Sequence, residues 1–332
     1  MTLEGDSCIR VEVVRGLGPF DGQFGAQTKR SVPDSLRDVL FGANDGADTH
    51  VYALLDAARV SILPGLIERN RLPAVCLFKG DALDDLSAVA PWLIKLEEDS
   101  QLTRGLFTAG RAPWHLWDSQ PGIILQSGAD IDEIAAHLRH FTRIQDEDGA
   151  WFYFRFWEPS VAAAYFPGLA DRPDLAARWF HPRRGAPIDA IIAVEVGLTD
   201  ATATIIRPGM APDATGVVVK RFLDKSDMER LAAKRLASDT SALAADLRKT
   251  FGSEIKLTDP ELHDLTQGAL RRLLSLGFRQ RDNLFVMLAW EAFFGPRFEE
   301  IDPDGKLSRI LRSDRDEAER FVMMKDRMDE LG

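Results

Sequence analysis

Trp151-Phe152-Tyr153-Phe154-Arg155-Phe156-Trp157-Glu158-Pro159 sets six aromatic side chains and one arginine in seven consecutive positions, closed by Glu-Pro. Aromatic residues suit a pleated surface covered on both sides, so this run predicts a central strand buried on both faces. Period-two alternation puts Phe152, Phe154 and Phe156 on one face and Trp151, Tyr153, Arg155 and Trp157 on the other. Arg155 is then a cation in an apolar wall and requires an acceptor, because an unpaired buried charge is very costly. Glu158, Asp146 and Asp148 are the carboxylates nearby in sequence. Pro159 ends the ladder, having no N–H to donate.

Outward from this run, strands and helices alternate. Val51 to Leu55 reads as a strand, with Asp56 capping a helix over Ala58 to Arg69. Val75 to Phe78, Trp92 to Leu96 (after Pro91) and Gly122 to Gln126 read as further strands. Asp130 caps a helix with an apolar stripe of Ile131, Ile134, Ala135, Leu138 and Phe141, and Ser160 caps a short helix to Phe166. Upstream, Cys8 to Val14 reads as a strand and Ser35 to Phe41 as a short helix. Ile188 to Val196, Thr202 to Ile206 and Val217 to Phe222 read as strands of a small meander. From Lys225 the pattern is helical, and Gly277 stands where a helix ends. The expected fold class is α/β: a mostly parallel or mixed sheet with flanking helices, followed by a mainly helical C-terminal lobe. The expected divisions are a leader at 1–49, an α/β domain at 50–175, connecting strands at 176–224 and the helical lobe at 225–332.

The 332 residues carry a net charge of −11, with 45% hydrophobic and 28% charged side chains. That balance fits a soluble globular chain and argues against nucleic acid or an anionic membrane as the main partner. A local basic patch is still available at Arg178, His181, Arg183 and Arg184. The two cysteines, Cys8 and Cys76, read as buried free thiols. The acidic first residues lack the apolar core of a secretory signal, and no run of 18 apolar residues occurs, so the cytoplasm is the expected compartment.

Chemical motifs are sparse. Gly16-Leu17-Gly18-Pro19 lacks the third glycine of a dinucleotide loop, and Gln126-Ser127-Gly128 lacks the first glycine of a nucleophile elbow. His137 and His140, with Glu133 one turn earlier, have a spacing that metal sites use, but the apolar stripe of their helix leaves them on its solvent face. Asp56 ends a strand, where catalytic acids lie in α/β sheets, and helix capping explains it equally well. No catalytic, cofactor-binding or metal-binding residue is assigned, and no cofactor is expected. The helical lobe offers binding surface instead. Asn283 to Phe294 is apolar nearly all round, either the lobe's central helix or a partly exposed docking groove. Phe285, Met287, Trp290 and Phe294, with Met324 and Met328 from the last helix, are the candidate partner-binding residues.

Five segments carry a resemblance. They are Tyr52-Ala53-Leu54-Leu55-Asp56, Ala74-Val75-Cys76-Leu77-Phe78-Lys79-Gly80, Ala90-Pro91-Trp92-Leu93-Ile94, His137-Leu138-Arg139-His140-Phe141 and Phe154-Arg155-Phe156-Trp157-Glu158-Pro159. In this order they resemble the adaptor-chaperone family of bacterial type VI secretion, known as Tap or TEC. Asp56, Pro91, Trp92, Arg155, Glu158 and Pro159 are the motif residues. Glu158 replaces the usual Asp, and Ser160 stands where an Arg is common. The resemblance implies a cytoplasmic loading factor that binds a specific effector and helps place it on the spike protein VgrG. Two other readings stay open: a hydrolase-like or nucleotide-using enzyme with Asp56, Glu158 or Arg155 at strand ends, and an immunity-type protein that binds a toxin.

Overall fold

Six of the seven residues of strand β2 (His50–Asp56) are buried, as in a strand covered on both faces. In the computed structural model, which describes residues 7–42, 49–80, 83, 86–145, 149–197, 200–209 and 223–331, this strand lies inside a seven-stranded sheet. The chain forms two units, Met1–Leu231 and Ala232–Gly332. The other strands of the sheet are β1 (Ile9–Leu17), β3 (Ala74–Cys76), β4 (Pro91–Lys95), β5 (Gly122–Ser127), β8 (Ile188–Val196) and β9 (Ala201–Pro208). Their order is β1-β9-β8-β5-β2-β4-β3, and each neighbouring pair is antiparallel. Strands β2 and β3 flank a helix, α2 (Leu63–Asn70), and run in the same direction, as a helical crossover requires. Strand β4 inserts between them, so no parallel pair results. This is why alternating strands and helices, which suggest a parallel or mixed sheet, give an antiparallel one.

Alternation along the strands divides the core into two. Tyr52, Leu54, Leu93, Ile123 and Leu125 face one side with the apolar residues of α4 (Ile131–Arg139), α5 (Pro159–Tyr165) and α6 (Pro173–Phe180). Val51, Ala53, Leu55, Ile94 and Ile124 face the other, against α1 (Asp34–Phe41), α2 and α3 (Gln101–Leu106). Strands β1, β8 and β9, read from sequence as leader and connection, belong to this same sheet. The strand expected at 217–222 lies outside the described residues.

The aromatic run does not form a central strand. Only Trp151–Tyr153 is extended, as β7, which pairs with β6 (Arg143–Gln145) in a separate two-stranded sheet. Trp151 is 56% and Tyr153 62% exposed. At Phe154 the chain turns, and the Glu158 N–H donates to the Arg155 carbonyl (3.0 Å). In a turn the side chains no longer alternate, so Phe154, Phe156 and Trp157 are all buried. Pro159 opens α5 in its first turn, where its missing N–H costs nothing, and Ser160 is therefore inside the helix, not its cap. Asp56 likewise caps no helix: its Oδ1 accepts from the Ala58 N–H (2.8 Å) in a turn, and α2 begins only at Leu63 with Pro64 in its first turn. Asp130 does cap α4, with Glu133 completing a capping box.

The helical unit contains most of α7 (Lys225–Phe251), then α8 (Asp259–Ser275), α9 (Arg281–Phe294), α10 (Lys306–Leu311) and α11 (Glu317–Leu331). Gly277 ends α8 in the left-handed region (φ +86°), where the N–H groups of Gly277 and Phe278 reach the Leu274 and Leu273 carbonyls. Arg272 of α8 binds the buried carboxylates Glu291 and Glu299, the latter at 2.6 Å. Arg327 donates to Asp302 (2.6 Å) and holds that carboxyl well below the usual carboxylate range. Among the described residues, no helix is long and apolar enough to cross a membrane.

Candidate functional site

Asp56 is the last residue of β2, opposite Pro91 at the start of β4, and its N–H donates to the Pro121 carbonyl (2.8 Å). The strand register thus drives its carboxylate beneath the 154–158 turn, where it is 2% exposed. Three donors close it. Arg155 Nη2 (2.5 Å) and Trp157 Nε1 (2.9 Å) reach Oδ2, and the Ala58 N–H reaches Oδ1. Arg155 also binds Glu158 through Nε (2.7 Å), and Arg59 Nη2 lies 3.5 Å from the other Glu158 oxygen. Charges therefore alternate from Arg59 through Glu158 and Arg155 to Asp56. The carboxylate of Asp56 is buried, and the Arg155 side chain is 43% exposed.

This geometry resolves the partner of Arg155. It binds both Asp56 and Glu158; Asp146 and Asp148 lie outside the described residues. A buried carboxylate that accepts from Arg155, Trp157 and the Ala58 N–H ties these groups together, so Asp56 reads as a clamp between β2 and the 154–158 turn. Of the six motif residues, Asp56, Pro91, Arg155, Glu158 and Pro159 gather at this end of the sheet. Trp92 packs with the opposite core, its Nε1–H donating to the Ser87 carbonyl (3.0 Å). Sequence reasoning missed Arg59 and the donor role of Trp157; no local pattern announces either.

Behind the clamp, Trp179 of α6 organises the aromatic side chains. Phe141 stacks on it at 3.7 Å, and Phe154, Phe156, Tyr165 and Phe166 meet it edge-on or nearly so. Its Nε1–H donates to the Tyr165 hydroxyl (3.0 Å), whose pKa burial pushes up strongly. His137 is buried here, contrary to the solvent face expected from its helical stripe. Its Nε2 lies 2.8 Å from the Trp179 carbonyl, and burial lowers its pKa to about 4. The neutral ring donates that hydrogen bond. His140 is exposed, its pKa lowered by partial desolvation and then by Arg178 and Arg183, so two of the basic residues foreseen at 178–184 do approach it. Arg139 reaches back to the Cys76 (2.8 Å) and Leu77 (3.1 Å) carbonyls and so ties α4 to the end of β3. Among the described residues, no group of three or more His, Cys, Asp or Glu side chains is placed to hold a metal ion.

The helical unit divides the expected partner-binding residues. Met287 and Met324 are wholly buried and Met328 is 8% exposed, so these three are core side chains and leave the docking face. Trp290 is half-buried against Phe298 and Phe321. Phe285 is half-buried and stacks on Phe251, which also meets Phe293 edge-on. Phe293 is 44% and Phe294 54% exposed. The surface is therefore an aromatic strip of Phe285, Phe251 and Phe293 with Phe294 beside it. Phe293 and Phe251 were not foreseen, because an all-apolar helix does not reveal which side its neighbours cover.

A family model described as a domain of unknown function (DUF4123) matches residues 51–173. The match runs from β2 to the start of α6 and includes every residue of the clamp. No curated protein and no solved structure matches the chain.

Proposed function

We propose that this chain is a cytoplasmic adaptor-chaperone that binds a specific type VI secretion effector, stabilises it before export and delivers it to the VgrG spike. The observation that carries the binding role is the aromatic strip on the helical unit. Adjacent exposed phenylalanines on a well-filled helix are costly in water and mark a surface that a partner covers. The domain match over 51–173 coincides with the segments that resemble the Tap/TEC adaptors, and the burial of the Asp56 carboxylate against Arg155, Trp157 and the Ala58 N–H favours a scaffold role for the motif residues. An effector segment held on the strip is protected from aggregation by mass action.

The test is co-purification from the native cytoplasm with the tagged chain as bait, with mass spectrometry to identify a type VI secretion effector among the proteins that co-elute. Wild type should retain the effector, and Phe293→Asp with Phe294→Asp should lose it while remaining folded. Equal retention by wild type and the double variant would remove the strip from the account. Failure of wild type to retain the effector would remove the adaptor reading.

A further inference from the structure

Strand β1 is an edge of the seven-stranded sheet: among the described residues it pairs with β9 and with no strand on its other side. The ladder is regular from Ile9 to Val14, and its register shifts between Val14 and Leu17. The Gly209 N–H donates to the Cys8 carbonyl (2.8 Å), so even-numbered residues of β1 turn their backbone groups toward β9. Alternation turns those of Ile9, Val11 and Val13 outward. At Ile9 the Ser7 hydroxyl meets them, accepting from the N–H (3.4 Å) and donating to the carbonyl (2.7 Å). The Val11 and Val13 groups face the open side.

The side chains fit a strand as neighbour. Arg10, Val11, Glu12 and Val13 are all exposed, the two valines by 44% and 41%. An open edge is a template for another strand, and folds ordinarily blunt one with lysine, proline or a bulge. Here the bulge comes only after Val14, and Ile9 to Val14 contains neither lysine nor proline. Arg10 and Glu12 share one face of the strand, and among the described residues neither forms an ion pair. On its paired side Arg10 stands opposite Arg207, a like charge that a carboxylate on the open side would offset.

We infer that β1 pairs antiparallel with β1 of a second copy, about a twofold axis through Val11. Outward backbone groups must meet outward groups, so odd residues face odd and even face even, and the axis passes through one residue of each copy. With the axis at Val11, Arg10 of each copy faces Glu12 of the other, and Val13 faces Ile9. Two opposite-charge pairs then lie on one face and an apolar row on the other. With the axis at Glu12, the two Glu12 carboxylates stand opposed. With the axis at Val13, Glu12 meets Val14 and Arg10 meets Gly16, past the last regular residue. Charge therefore selects Val11. There the two Val11 residues exchange both N–H···O bonds, and Val13 of the second copy takes the Ile9 groups from the exposed Ser7. The inference rests on β1 alone and stands apart from the adaptor reading.

Sedimentation equilibrium of the purified full chain over a concentration series tests it. Wild type should approach twice the chain mass as concentration rises. Arg10→Glu and Glu12→Arg, both at exposed positions, should each weaken the dimer at least about tenfold at an unchanged thermal midpoint, because each sets two like-charge pairs across the axis. Mixed together, these two variants should form a heterodimer of wild-type affinity, since every facing pair then has opposite charges. The chain carrying both substitutions should regain the homodimer for the same reason. A wild-type monomer at every concentration would overturn the inference and leave the edge to a strand of another protein. A wild-type dimer that both charge reversals leave intact would also overturn it, placing the contact elsewhere on the chain. So would a mixture of the two variants that stays monomeric.

Discussion

Arg155 Nη2 lies 2.5 Å from Asp56 Oδ2, an ion pair that joins two points 99 residues apart in the chain. It holds the turn after β7 against the end of β2, and the Trp157 indole shares the same oxygen. The 154–158 turn carries Phe154 and Phe156, two of the aromatic side chains that surround Trp179, so the pair also fixes the entry to that core.

Removing the acceptor should cost more than removing the donor. Asp56→Ala strands Arg155, the Trp157 N–H and the Ala58 N–H together and should destabilise by about 3–5 kcal/mol. Arg155 is part-exposed and regains water, so Arg155→Ala should cost about 1–3 kcal/mol. Urea unfolding of both single variants and the double variant checks this; additive losses would show that the pair is not coupled.

Stability should fall with acid in a window set by His137. Its folded pKa of about 4 lies below the ordinary 6.5, so between these values the unfolded chain binds more protons than the native one. The contribution is fully present above pH 6.5 and is lost as pH falls toward 4, about 3 kcal/mol in all. His140, lowered in the same direction, adds to the slope. His137→Gln should flatten the profile across this window in urea titrations at stepped pH, and an unchanged slope would rule out His137 as its source.

Trp179→Ala empties the centre of the aromatic core and should cost about 3–5 kcal/mol in chemical unfolding. A loss below about 1 kcal/mol would mean that the surrounding rings collapse into the space.

Gly122 permits the closest approach of β5 to β2: a Cβ there would lie 1.8 Å from the Leu54 carbonyl oxygen. Gly122→Ala must separate two central strands and should cost about 3 kcal/mol or prevent folding. Soluble expression and the thermal midpoint report the outcome; a wild-type midpoint would refute the close contact.

What the sequence made legible follows from local physics. Asp130 and Glu133 announce their capping box, Gly277 ends a helix as its position implies, and β2, β4 and β5 follow their apolar runs. The 151–157 run misleads because alternation is meaningful only in extended chain, and nothing in seven bulky residues marks the bend at Phe154. His137 looks exposed from its own helix, but α6 covers it. The acceptor of Arg155 is equally non-local: Glu158 is a near neighbour, whereas Asp56 enters only through the sheet. On α9, Met287 and Phe294 are equally apolar, and only the packing of the other helices decides which of them meets solvent.

The most direct test of the central claim is capture of a type VI secretion effector from the native cytoplasm by the tagged chain, with the Phe293→Asp, Phe294→Asp variant in parallel. The account predicts that the effector co-elutes with wild type and is lost from the double variant at an unchanged unfolding midpoint. Recovery of the wild-type chain alone, even after mild crosslinking, would contradict it.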